Sequence, residues 1–86
     1  MTNDEINEFF RNLRELRRTC RRTMSSDDRL AVLIAACIDF GFNTKRQVIG
    51  VLRRLDFKDN HIIRVLGVYA GTQWRQAEDG SYISLP

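Results

Sequence analysis

Among its 86 residues the chain has one proline, one histidine and two cysteines, and no apolar run longer than Leu30 to Ile38. Each scarcity closes off a class of protein. Cys20 and Cys37, with His61 as the lone imidazole, cannot supply the four ligands of a structural zinc site, so no metal is expected and both cysteines are read as reduced, largely buried thiols. The apolar run is too short to cross a bilayer, and Met-Thr-Asn-Asp-Glu is acidic where a secretory leader is basic, so a cytoplasmic location is expected by default. There is no glycine-rich phosphate loop, no nucleophile beside a histidine with a third group to orient it, and no spaced carboxylate pair. The expectation is a non-enzyme without a cofactor.

What is present is 43% apolar content, enough for one core at this length and too little for two. Lys and Arg outnumber Asp and Glu by 14 to 11, a net charge of +3, which suits a polyanionic partner without the excess of a histone-like protein. Residues 1 to 24 carry six arginines against four acids, residues 25 to 57 five bases against four acids, and residues 58 to 86 three of each. The positive charge therefore lies ahead of the C-terminal third.

The first helix is expected from Asp4 to Thr23, with acids at its start and arginines at its end, as the helix dipole favours. Ile6, Phe9, Phe10, Leu13, Leu16 and Cys20 recur at three- and four-residue steps, opposite Arg11, Arg14, Arg18, Arg21 and Arg22. The cluster Ser25-Ser26-Asp27-Asp28 then breaks the chain, with Ser26 or Asp27 as N-cap of a second helix, Arg29 to Phe40, that Gly41 ends. Leu30, Leu33, Ile34, Cys37 and Ile38 make it the central core helix.

Thr44-Lys45-Arg46-Gln47 fits a capping box at the head of a third helix, Lys45 to Leu55. Val48, Val51, Leu52 and Leu55 form its buried stripe, Gly50 permits a close crossing, and Lys45, Arg46, Arg53 and Arg54 stay outside. After a tight turn at Asp56-Phe57-Lys58, Asp59 caps a fourth helix, Asn60 to Ala70, whose core candidates are Ile62, Ile63, Leu66 and Tyr69, with Asn60, His61, Arg64 and Val68 outward. Two alternating runs around Asp79-Gly80 then read as a β-hairpin. A two-residue loop would pair Gln76 with Ile83 and put Trp74, Ile83 and Leu85 on one face, with Arg75 and Tyr82 outward. A loop one residue longer would group Trp74 with Tyr82 and Ser84, and the aliphatic pattern favours the shorter one.

Helix, helix, short turn, helix and a Trp74…Asp79-Gly80-Ser81-Tyr82 hairpin together resemble the winged helix-turn-helix family over about Asp28 to Pro86. The chain thus divides into an amphipathic basic helix, residues 1–24, and a winged-helix-like domain, residues 25–86. The resemblance implies that the fourth helix enters the major groove of double-stranded DNA and that the hairpin touches the flanking backbone. Carried onto this sequence, the contacts are Lys58, Asn60, His61, Arg64 and Arg75, to which the basic helices add Lys45, Arg46, Arg14, Arg18 and Arg21 as phosphate contacts.

The stripe Ile6, Phe9, Leu13, Leu16 has partial heptad spacing and points to a homodimer, the other arrangement being that the helix folds back on its own domain. The function expected is a small DNA-binding protein, a transcriptional regulator or mobile-element accessory factor. The alternative is a protein-interaction module on a winged scaffold, such as a phage or mobile-element inhibitor of a host nucleoprotein complex, which the apolar character of the fourth helix favours.

Overall fold

Four helices and a C-terminal antiparallel hairpin make up the computed structural model, which describes residues 2–19 and 24–85. Cys20, Arg21, Arg22 and Thr23, which bear the expected end of the first helix, a second thiol and an arginine contact, lie outside the described residues.

The helices begin where side chains can satisfy free backbone donors. Helix α1 spans Asn3–Thr19 with Asp4 and Glu5 in its first turn and Arg17 and Arg18 in its last, the charge order its dipole favours. Helix α2, Ser26–Phe40, starts three residues earlier than the sequence suggests, because Ser25 rather than Ser26 or Asp27 is the cap. The Ser25 hydroxyl accepts the Asp28 amide at 3.1 Å and brings Asp27 and Asp28 into the first turn. Helix α3, Lys45–Arg53, opens on the expected Thr44–Gln47 capping box. It ends before Leu55, and Asp56 turns the chain with φ 68°, a left-handed conformation that Asp tolerates better than most residues. In helix α4, Asp59–Val68, Lys58 holds the cap position without a side-chain bond, while Asp59, expected as the cap, is the first helical residue and pairs with Arg53.

Helix α2 is the axis of the core: Leu30, Leu33, Ile34 and Cys37 are almost completely buried, and α1, α3, α4 and the hairpin pack around it. Phe9, Phe10 and Leu13 of α1 belong to that same core, with Ile6 and Leu16 packed against it and Phe9 stacked on Phe40 at 4.1 Å between centroids. The stripe expected at a homodimer interface is therefore occupied within the chain. One reason is that the faces α2 presents to α1 are themselves apolar, so folding back buries both surfaces at once. In α4 the buried set is Ile62, Val65 and Leu66, and Ile63 turns outward, 41% exposed.

The hairpin corrects the expected register. Strands β1, Trp74–Gln76, and β2, Tyr82–Ser84, pair Trp74 with Ser84, Arg75 with Ile83 and Gln76 with Tyr82. This is the longer loop, with Gly80 at φ 89°. Trp74 and Tyr82 consequently face the core, whereas Ile83 joins Arg75 outside and Tyr82 is not outward as expected. Backbone pairing on the far edge of β2 explains the choice. The Tyr82 amide donates to the Asn43 carbonyl at 2.6 Å and Ser81 bridges to Thr44, which locks β2 against the residues before α3.

Candidate functional site

The polar residues of α4 are largely committed to α2. His61 Nε2 donates to Asp27 Oδ1 at 2.8 Å, Arg64 reaches the same oxygen at 2.6 Å, and the Tyr69 hydroxyl donates to Asp28. His61, expected outward, is half-buried as a result. The hydrogen bond from His61, and after it that from Arg64, holds the Asp27 carboxyl below the usual carboxylate range, and Asp28 raises the Tyr69 hydroxyl above its own.

A lowered folded-state value means that the unfolded chain binds the proton more tightly. The Asp27 clamp is thus fully present above the ordinary carboxylate pKa and is lost as pH falls through the lowered one. Asp27→Asn is expected to lower the urea midpoint at pH 6, and the deficit should shrink progressively as the pH is taken down below the ordinary carboxylate range. A deficit that stays constant throughout that descent would rule out the charged clamp.

Of the other residues expected to touch DNA, Lys58 and Asn60 are exposed at the start of α4, and Arg75 is exposed on β1. The remaining outward positions of α4 are apolar: Ile63 is 41% and Val68 64% exposed.

Cations gather instead across α1 and α3. Arg14 and Arg18 of α1 line a concavity of about 530 Å3 together with Arg17, Arg29 from the first turns of α2, and Phe57 from the turn before α4. Arg14 also borders an adjoining concavity of about 450 Å3 with Asn7, Phe10, Arg11 and Arg54. Two of these arginines build the scaffold. Arg17 donates to the Leu55 carbonyl at 2.6 Å and lies 4.7 Å from the centroid of the Phe57 ring, while Arg54 lies 5.3 Å from that of Phe10. Both tie α1 to the α3–α4 turn, which holds the cations from three helices in one band.

Neutralisation within the band is sparse. Arg18 pairs with Glu15 at 2.6 Å, but Arg11, Arg14, Arg17, Arg29 and Arg54 have no carboxylate within 4.0 Å among the described residues. Lys45 and Arg46 are exposed on α3, where they line a third concavity of about 600 Å3 with Ile49, Gly50, Arg53 and Asp59. Here Arg53 and Asp59 hold one another through bonds of 3.1 and 2.5 Å, which keeps the Asp59 carboxyl below its ordinary range. Such arrays of guanidinium forks suit planar or tetrahedral oxyanions.

Sequence reasoning pointed to the arginines between Arg11 and Arg22 and to Lys45, Arg46, Arg53 and Arg54 as two separate sets, but it did not join the two, and it missed Arg29 and Phe57 as their companions. Arg29 and Arg54 stand 15 and 40 positions from Arg14, so no spacing rule joins them. The one available signal was the exclusive use of arginine over lysine in the first helix.

Among the described residues no group of three His, Cys, Asp or Glu side chains is placed to hold a metal, and no helix is long and apolar enough to cross a membrane. Cys37 is a buried thiol whose pKa burial pushes up to about 12. Comparison of the chain with protein-family models, with curated proteins and with solved structures finds no match.

Proposed function

We propose that this chain is a small double-stranded-DNA-binding protein, a transcriptional regulator or mobile-element accessory factor, that grips the phosphate backbone with arginines of α1, α2 and the α3–α4 turn. The observation that carries the reading is that Arg14 borders two adjoining concavities, and so joins Arg11 and Arg54 to Arg18 and Arg29 in one band with few carboxylates. The likeness to winged helix-turn-helix domains is supported by the order of α2, α3, α4 and hairpin, and by Thr44 bridging to Ser81. In this reading sequence-specific readout is weak, because His61 and Arg64 of α4 are bound to Asp27.

Fluorescence anisotropy tests it. Two duplexes of unrelated sequence are expected to bind within a few-fold of each other. Affinity should fall roughly a thousand-fold between about 50 and 200 mM salt if about six phosphates are neutralised. No binding at the lower salt ends the proposal.

A second reading, a protein-interaction module that docks on a host nucleoprotein complex, is favoured by the exposed Ile63 and Val68 on α4. The double variant Ile63→Ser with Val68→Ser should bind DNA as the parent does. Loss of duplex affinity in it would move the contact from the arginine band to α4.

A further inference from the structure

Gly50 sits inside α3, a helix of nine residues, where glycine weakens the helix relative to alanine. Nothing among the described residues calls for it. Its φ is not in the left-handed region, unlike those of Gly41, Gly71 and Gly80, and a Cβ built there meets no atom within 4 Å. The close crossing that a glycine at this position suggests is therefore not made by any element among the described residues.

The surroundings indicate what approaches. Arg46, Gly50, Arg53 and Arg54 are spaced to lie along one side of α3. Gly50 borders the concavity of Lys45, Arg46, Ile49 and Arg53, and also a neighbouring one of about 320 Å3 where Gln47 and Arg54 stand over an apolar floor of Ile6, Phe10, Phe42 and Val51. Phe10 and Arg54 in turn border the concavity of Arg11 and Arg14. A bare strip of helix backbone thus has Lys45, Arg46 and Arg53 on one side and Arg54 on the other, and Arg54 and Phe10 join it to the arginine band. Among the described residues the one carboxylate lining these two concavities, Asp59, is already paired with Arg53.

Resting on the DNA-binding reading, we infer that a strand of the duplex crosses α3 at Gly50. Its sugar-phosphate backbone lies closer to the helix there than any side chain would permit, within reach of Lys45, Arg46 and Arg54. The partner is an extended polyanion, because the cations continue on both sides of the glycine where a small anion would need a single enclosed pocket.

The test compares Gly50 with Gly67, a second helical glycine, on α4, whose Cβ position is equally open. Alanine at either position should raise the thermal midpoint, since each removes a helix-weakening residue without a clash. Gly50→Leu should lower duplex affinity at least ten-fold and flatten its salt dependence, because the side chain lifts phosphates away from the flanking cations. Gly67→Leu should bind as the parent does. If the parent and Gly50→Leu bind alike while Arg14→Ala with Arg29→Ala loses affinity, the crossing at Gly50 is overturned and DNA binding stands. Equal losses from leucine at both glycines overturn it too, and a parent that does not bind duplex at low salt removes both.

Discussion

Trp74→Ala is expected to destabilise the fold by about 3–5 kcal/mol, the range for truncating a large aromatic in a packed core. Trp74 is fully buried, beneath the hairpin and beside Tyr69, whose ring lies 6.1 Å away. It does more than fill space. Its indole nitrogen donates at 3.1 Å to the carbonyl of Leu66, which has come free because the Ala70 amide bonds to Gly67 instead. Removing the ring opens a void and leaves that carbonyl unpaired in the core, a further cost of about 1–3 kcal/mol when nothing replaces the donor. Against a total stability of roughly 5–15 kcal/mol for a domain, the loss is large. Urea titration followed by circular dichroism measures it, and Trp74→Phe, which keeps most of the apolar volume, should fall between the two. A Trp74→Ala variant within about 1 kcal/mol of the parent would mean that the hairpin adds little to the core.

Arg14→Ala combined with Arg29→Ala should weaken duplex binding about a hundred-fold near 50 mM salt, and should reduce the slope of log affinity against log salt by about 1.8, since each lost phosphate contact contributes about 0.9. The fold should be unaffected, because neither side chain makes a hydrogen bond to another part of the chain among the described residues. Arg18→Ala provides an internal contrast: its guanidinium already pairs with Glu15 in an exposed setting, so its removal should cost less. Arg14→Lys with Arg29→Lys should retain the slope, as the charge is kept, while losing the two-pronged contact geometry of arginine. An unchanged slope in the alanine pair would show that these two arginines meet no phosphate.

Much of the secondary structure was legible before any fold was in view, because its signals are local. The capping box at Thr44 and Gln47, the stop at Gly41 and the stripe Val48, Val51, Leu52 all depend on residues a few positions apart. The cap of α2 falls on Ser25, one or two residues before the expected Ser26 or Asp27, since all three carry suitable oxygens and only backbone geometry selects among them. The hairpin shows a different kind of failure. Alternation within residues 72 to 85 favoured burying Ile83, but β2 also pairs with Asn43 and Thr44, some forty positions away, and that second edge set the register that buries Tyr82.

The candidate site divides in the same way. The amphipathic pattern of α1 and its wealth of arginine were plain in the sequence, as was the poverty of cations in α4. The pairing of His61 and Arg64 with Asp27, 34 and 37 positions away, was not, because an ion pair between two helices leaves no trace in spacing. By itself the sequence determined four helices and a hairpin, the Thr44–Gln47 capping box and the stop at Gly41, and most of the apolar helix faces, since these follow from backbone propensity and periodicity over a few turns. Tertiary structure alone decided that α1 covers its own core, and that Arg14 shares one concavity with Arg29 and another with Arg54. It also decided that the polar side chains of α4 are spent on α2. Each of these outcomes depends on where distant segments dock, and burial of apolar surface, which directs the docking, does not discriminate by sequence separation.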